Sequence, residues 1–548
     1  MNTHDVFNQS PPLADFNPFL MDVALQEAVQ REGASAARDA LVDRGREIGS
    51  ARMIALADAA NRNTPVLKLF DATGQRRDVV EFHPAYHELM SYLARHGAAV
   101  GPWVAPSPGA HAARAALYYL YAQVEDGTLC PTTMTYASVP ALREDPALAA
   151  TWLPLVTRCE YDPRFIPAQG KRGVTLGMGM TEKQGGSDVR ANTTRAEPVA
   201  GRIYRIIGHK WFFSAPMCDA FLILAQAPRG LSCFLLPRFT PDGSVNAIRI
   251  QRLKDKLGDR SNASSEVEFE NTHAELVGEE GRGIATILAM GTYCRLDCVL
   301  GTAGLVRGAV SQAMHHARHR RAFGKRLADA PLMRNVLADL ALESEAAAAL
   351  AMRLGRAFDE TDETATLFRR VVTPAAKFWV CRRGPAVAAE AMEVLGGNGY
   401  VEEGPLARLY RQMPLNSIWE GAGNIMCLDV LRAVHRDARC VDAIADELAL
   451  AKGGNATLDS FAQATLHALR TTPDEDAARA LTQGLALAIQ ASLLVRFAPA
   501  FVGDAFCASR LAAASFTGGA FGATAFAHAD KIVARAWPTD HPLPTETP

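Results

Sequence analysis

The sequence predicts an α+β protein, mainly helical, in which a small antiparallel β domain is set between helical domains. Three observations carry that expectation. A chain of 548 residues exceeds what a single hydrophobic core supports. Apolar residues make up 49% but aromatics only 7%, with alanine abundant, a balance that suits packed helices. The apolar spacing is helical up to about residue 170, breaks into short β-branched runs between Val174 and Val277, and then turns helical again. The expected domains are 1–172, helical with a small hairpin; 173–280, antiparallel β; 281–440, a helical bundle; and 441–548, an extra helical domain with a disordered tail.

The first helical region is exemplified by "HAARAALYYLYAQVED". It is interrupted by "VLKLFDATGQRRDVVEF", two alternating runs joined at Thr73-Gly74, which reads as a hairpin. Pro102, Pro106 and Pro108 mark a loop. Within the β region, "RIYRIIGHKWFF", "AFLILAQA", "LSCFLLPRF", "NAIRIQRL" and "SSEVEFEN" are separated by Gly, Asn, Asp or Pro. Helices are then expected over 284–321, 331–357 and 373–395, the last with a kink at Pro385 and a stop at Gly396-Gly397. Beyond residue 440 the polar loop "AKGGNATLDS" precedes more Ala-rich helix to about Ala536, and the tail "PTDHPLPTETP" reads as disordered.

Composition removes several function classes. A formal charge of −2 gives no general polyanion-binding signal. Of ten cysteines only Cys294 and Cys298 lie close, and their i, i+4 spacing in an apolar run reads as packing, so no metal site is expected. Scattered thiols suit a reducing cytosol. The opening "MNTHDVFNQSPPLADF" has neither a basic start nor an apolar stretch, and "LTQGLALAIQASLLV" is too short to span a bilayer. The expectation is a soluble, cytoplasmic protein without a membrane partner.

One stretch asks for a ligand. "GMGMTEKQGGSDV", residues 177–189, packs four glycines into a loop of the kind that touches phosphate. It is not the fingerprint G-x-G-x-x-G, because Glu182 stands at the third glycine, and no G-K-[ST] follows.

Five stretches in order settle what it resembles: T-E-x-x-x-G-S-D at this loop, "GHKWFFS" (208–214), "KLGDRSNASSEVEFEN", "HARHRRAFGKRL", and "EVLGGNGYVEEGPLARLYRQ" leading to "IWEGAGN". Together with the helix–β–helix order they resemble the FAD-dependent acyl-CoA dehydrogenase family. The long N-terminal region, "LCPTTMT" and the helices after residue 440 are similar to its AidB-like branch, which belongs to the bacterial adaptive response to alkylating agents.

The resemblance implies that FAD is the cofactor and assigns its contacts. Met178, Gly179, Met180 and Thr181 would meet the flavin edge, while Gly185, Gly186 and Ser187 would offer donors to phosphate. Phe212, Phe213 and Ser214 fall where the family's strand lies against the flavin, Phe212 taking the place of the usual Trp. Arg320, in R-x-x-F-G with Phe323, would reach FAD phosphate across a subunit boundary, which implies a homo-oligomer, a tetramer as in the family. Gly396, Gly397, Ile418, Trp419, Gly421, Gly423 and Asn424 complete the cofactor set.

Glu420 aligns with the family's base, the carboxylate that removes the α-proton of an acyl thioester. Four positions depart from the pattern. Cys294 and Asp297 fall where the family often has an acid and an Arg that secure the thioester, Pro331 replaces a Gln, and Ala422 replaces the Thr of E-G-T. The flavin machinery therefore reads as better kept than the acyl-CoA site.

Three functions follow from the resemblance. The first is an AidB-like flavoprotein that protects against DNA alkylation damage, by binding double-stranded DNA and inactivating alkylating agents, with weak isovaleryl-CoA-like dehydrogenase activity. The second is an efficient dehydrogenase of an unusual or branched acyl-CoA. The third is a DNA-binding protein with structural FAD. For DNA, residues 441–548 carry 7 Lys+Arg against 11 Asp+Glu, so a contact must be local, and Arg432, Arg436 and Arg439 in "LRAVHRDAR" are the candidates.

Overall fold

The computed structural model describes residues 3–471, 474–512 and 520–538. The tail from residue 539 onward, expected to be disordered, lies outside the described residues. The chain divides into two compact units: residues 1–54, 108–124 and 298–548 form one, and residues 55–107 and 125–297 form the other.

The second unit holds all the longer strands. Its hairpin pairs β1 (Val66–Phe70) with β2 (Arg76–Glu81). Gly74 takes φ +83°, and the Asp71 carboxylate accepts the Thr73 and Gln75 N–H groups, both at 2.9 Å. The sheet proper comprises β3 (Leu176–Gly179), β4 (Arg195–Ala200), β5 (Ile203–Ser214), β6 (Ala220–Ala227), β7 (Gly230–Pro237), β8 (Ile248–Leu253) and β9 (Ser264–Val277). Its order is β3-β6-β4-β5-β9-β7, with β8 on β9. A further β6–β7 pairing closes five of the strands into a ring, which leaves them few free edges.

The expected all-antiparallel domain needs correction, because β3 runs parallel to β6 and β4 also meets β6 in parallel. Parallel neighbours need a long crossover, and the 180–219 segment with its β4–β5 hairpin supplies one. A four-residue run such as Leu176–Gly179 carries no directional signal of its own. Packing explains two of its glycines. A Cβ at Gly177 would lie 2.6 Å from the Phe221 ring, and one at Gly179 would lie 2.4 Å from the Phe213 ring.

In the first unit the Pro331–Ala357 helix has the expected bounds, and the long helix before it spans Gly283–His319, with the division between units falling inside it. The third begins ten residues earlier than its expected start at 373, as Glu363–Leu395, and runs without interruption through Pro374 and Pro385. Asp362 caps it by accepting the Ala365 N–H at 2.9 Å. A proline forfeits only one helical hydrogen bond, and here both lie where the helix is packed on its neighbours.

The late apolar run lies in a longer helix than the sequence suggests, Ala478–Phe497. By length and composition, Gly283–His319 and the segment Glu475–Phe497 could each cross a membrane. Core helices pass the same test, and the most apolar windows of the two are 50% and 67% buried within the protein.

Two arginines beyond residue 440 hold their helices against the bundle. Arg535 pairs with Glu345 at 2.9 Å and with Glu27. Arg510, buried, pairs with Asp339 and with Glu343 at 3.0 Å, and Glu343 also takes Arg383 at 3.0 Å. Arg510→Leu leaves two buried carboxylates with one cation, a loss of about 3 kcal/mol. Denaturant titration should show that fall in the unfolding midpoint, and a midpoint within error of the wild type would contradict it.

Candidate active site

In the β-containing unit the glycine loop is anchored by the residue that spoils the dinucleotide fingerprint. Glu182 is fully buried, and its carboxylate accepts Lys210 Nζ at 2.8 Å, the Thr193 N–H at 2.7 Å and the Thr194 N–H at 3.2 Å. Lys210, also buried, donates onward to the Leu224 carbonyl at 2.8 Å. Burial works to raise the Glu182 carboxyl, but the Lys210 ammonium and the threonine donors outweigh it and hold the group at about 2. Burial pulls the Lys210 ammonium down to about 8, against the pull of Glu182.

This pair was not read from the sequence, although the loop glutamate and the Lys of "GHKW" both carried the signal. Because the loop is pinned at Glu182, the next residues can turn outward. Glu182 and Gly185 exchange backbone hydrogen bonds, and Gly185 has φ +148° with open space around it. A Cβ at Gly186 would lie 2.3 Å from Thr181 Oγ1. Among the described residues no protein group takes the Gly186 N–H or the N–H and hydroxyl of Ser187. The Thr181 carbonyl accepts the Trp211 N–H at 2.8 Å, and the Met180 carbonyl accepts Asn192 Nδ2 at 3.0 Å.

Alternation along β5 separates the three residues taken from the family strand. Phe212 is 52% exposed, with Lys254 Nζ 4.5 Å from its ring centre. Phe213 is fully buried against Phe221, so its side chain is core and only its backbone remains for a ligand. Ser214 begins a polar chain: its hydroxyl lies 3.2 Å from that of Ser264, which accepts Lys256 Nζ at 3.2 Å, and Lys256 pairs with buried Asp259 at 2.7 Å. Burial raises Asp259 to about 6 although Lys256 opposes it.

The other unit presents the remaining candidates. After the Gly283–His319 helix the chain makes a two-residue hairpin, pairing β10 (Arg321–Ala322) with β11 (Lys325–Arg326). Phe323 and Gly324 form its tip at φ +51° and +79°, the primed turn that tight hairpins favour. Phe323 is fully exposed in a conformation that disfavours side chains. The N-terminal segment straps this turn. Arg320 Nη1 donates to the Asn8 carbonyl, the Asn8 amide donates to the Arg321 carbonyl, and the Arg321 N–H returns to Asn8 Oδ1, the last two at 2.8 Å. Gly396, at φ +61°, and Gly397 have open space where side chains would stand.

Glu420 sits on a strained turn: it takes φ +59° and Gly421 φ +103°. Trp419 donates its indole N–H to Asn416 Oδ1 at 2.9 Å, and Asn416 donates to Thr302 Oγ1 at 3.1 Å. Ile418 is exposed. Gly423 opens the Gly423–Arg436 helix, and Ala422 gives it no side-chain cap, so its first N–H groups face an open end. Arg479 Nη1 donates to Asn424 Oδ1 at 2.5 Å, bringing a residue from beyond 440 to this segment.

Cys294 and Asp297, the residues that depart from the family pattern, share the buried face of their helix, and Asp297 accepts the Thr133 hydroxyl at 2.7 Å. Arg439 is exposed but paired with Asp437 at 2.7 Å and Glu363 at 2.5 Å, while Arg432 and Arg436, also exposed, have no protein partner among the described residues.

Residues 8–163 match the model of the adaptive response protein AidB N-terminal domain, 177–272 the acyl-CoA dehydrogenase middle domain, and 281–435 the acyl-CoA dehydrogenase C-terminal domain. The AidB protein of Escherichia coli (strain K12) is 49% identical over 508 residues, covering 92% of this chain and 94% of that protein. The chain belongs to the AidB branch of the acyl-CoA dehydrogenase family. It is an FAD-dependent oxidoreductase of the acyl-CoA dehydrogenase type.

Solved structures share the family fold. A Caenorhabditis elegans acyl-CoA dehydrogenase in complex with C11-CoA superposes with a TM-score of 0.84 at 24% identity, covering 93% of this chain and 94% of that one. A Bacillus anthracis acyl-CoA dehydrogenase complexed with FAD gives 0.63 at 18% identity, covering 77% and 80%.

The Glu182–Lys210 pair makes the loop testable. Lys210→Met strands a buried carboxylate at a cost of about 3–5 kcal/mol, and Lys210→Met with Glu182→Gln restores most of it. Because folded Glu182 lies below its ordinary 4.5, its contribution is complete above that pH and drains as pH falls toward about 2. Glu182→Gln should flatten the acid limb of a stability–pH profile over that window. An acid limb identical to that of the wild type would show that the pair contributes nothing.

Proposed function

We propose that this AidB-branch flavoprotein oxidises acyl-CoA thioesters with Glu420 as base and serves in protection against DNA alkylation. The observation that carries the catalytic reading is the turn at Glu420, where two successive residues adopt left-handed φ on a segment tied to the bundle. Strain of this kind persists where the surroundings enforce it and accompanies functional positions.

The residues suit FAD. Unpartnered donors at Gly186 and Ser187 match a pyrophosphate, and the exposed rings of Phe212 and Phe323 match flat apolar surface. Bound FAD supplies the hydride acceptor. Glu420 takes the α-proton, and Gly186, Ser187 and Arg320 bind phosphate.

Exposed Phe323, Leu332, Tyr400 and Ile418 support a homo-oligomer, with Arg320 serving a neighbour's cofactor. The protective role is supported by the 49% identity to E. coli AidB and the match to the adaptive response domain. A second reading, an efficient metabolic dehydrogenase, has in its favour the matches to the acyl-CoA dehydrogenase middle and C-terminal domains.

Glu420→Gln should keep FAD yet lower isovaleryl-CoA oxidation, followed with an artificial electron acceptor, by at least about 10²-fold. Equal turnover in the variant would move the base elsewhere.

Duplex DNA binding separates the two readings. Binding that weakens steeply with salt, and that Arg432→Glu with Arg436→Glu abolishes while Arg439→Glu barely alters it, supports the protective role. Fast acyl-CoA turnover with no DNA binding at low salt would favour metabolism.

A further inference from the structure

We propose that Lys377 is a positioning residue for Glu420, holding the turn that aims the carboxylate; the inference rests on Glu420 as the base. Lys377 lies in the middle of the Glu363–Leu395 helix and is 1% exposed. Its ammonium donates to the Gly421 carbonyl at 2.9 Å, and no carboxylate among the described residues pairs with it.

A buried ammonium without a counter-ion is costly, and a carbonyl in a loop needs only a neutral donor or water. A purely structural account leaves the choice of lysine unexplained. Its placement explains it. The Gly421 carbonyl belongs to the peptide that leaves Gly421, so holding that oxygen restrains Gly421 at φ +103° and, through it, the preceding Glu420 at φ +59°.

The turn is thereby held from two directions. On its N-terminal side Trp419 is bound by Asn416, and Asn416 by Thr302. On its C-terminal side Lys377 is the anchor. Thr302 belongs to the Gly283–His319 helix and Lys377 to the next but one, so two bundle helices define one loop. Gly421 resists substitution, since its φ of +103° is one that side chains rarely adopt.

The test uses the FAD-loaded protein with Lys377→Met and Lys377→Arg, and Glu420→Gln in parallel. Hydrogen exchange by mass spectrometry reads the peptide around residues 415–424. Lys377→Met should exchange there at least about 10-fold faster, while the Gly423–Arg436 helix keeps its protection. With isovaleryl-CoA, kcat should fall about 10- to 100-fold at a KM within about 2-fold, because orientation of the base matters in the transition state. Lys377→Arg, which keeps a charged donor, should recover much of both. If Lys377→Met does not accumulate folded, Lys377→Gln gives the same reading.

Wild-type exchange at the turn, or faster exchange with unchanged kcat, overturns the inference. So does a loss shared by kcat, KM and global stability, since that marks a merely structural lysine. Normal turnover by Glu420→Gln instead sinks the base assignment, and the exchange measurement still decides whether Lys377 holds the turn.

Discussion

The buried ion pair between Glu182 and Lys210 is the constraint on which the glycine loop depends. A loop meant to present bare N–H groups cannot be held by them. It must be fixed elsewhere, and here a single carboxylate collects one ammonium and two backbone N–H groups. The pair is expensive to desolvate, and such pairs return little net stability. What it provides is register. Lys210 sits on β5 and reaches the β6 carbonyl of Leu224, so the loop inherits the rigidity of the closed sheet. The outward turn at Gly185 and the donors after it follow from that anchor.

The same division between anchor and presented group recurs in the helical unit. Phe323 and Glu420 both take left-handed φ, and each is flanked by a glycine that does so more cheaply. The hairpin at Phe323 is strapped by Asn8 and Arg320, and the turn at Glu420 by Lys377 and Asn416. In each case a side chain displayed at a strained position is held by polar contacts behind it. This is the pattern expected of preorganised sites, where folding energy secures geometry before a ligand arrives.

Much of this was legible in the sequence, and the limits have physical causes. Helix bounds read well where periodicity is clean, as at Pro331–Ala357, and poorly at the next helix, whose start at Glu363 lies ten residues before the expected 373. β3 lies in what reads as the start of the glycine loop, and its direction is set by a parallel partner some forty residues away, which no local pattern announces. The candidate residues came from motif order, which locates a residue without saying where its side chain points. That is why Phe213 is grouped with Phe212 by motif although β5 turns them to opposite faces. Lys377 carried no readable signal at all, being one lysine in an apolar helix whose partner is a backbone carbonyl.

Charge bookkeeping in the region after residue 440 bears on how an AidB-branch protein could meet DNA. Every arginine there already has an intramolecular partner: Arg470 with Asp442, Arg479 with Asn424, Arg496 with Glu447, Arg510 with Asp339 and Glu343, and Arg535 with Glu27 and Glu345. Recruiting any of them to phosphate would mean breaking that contact, and for Arg510 a buried one. The region's arginines thus serve folding, and one of them, Arg479, reaches the segment that carries the candidate base. The exposed Arg432 and Arg436 carry no such commitment. The proposed DNA contact therefore rests on Arg432 and Arg436, at the end of the helix that Gly423 begins, the same element whose opening turn follows Glu420.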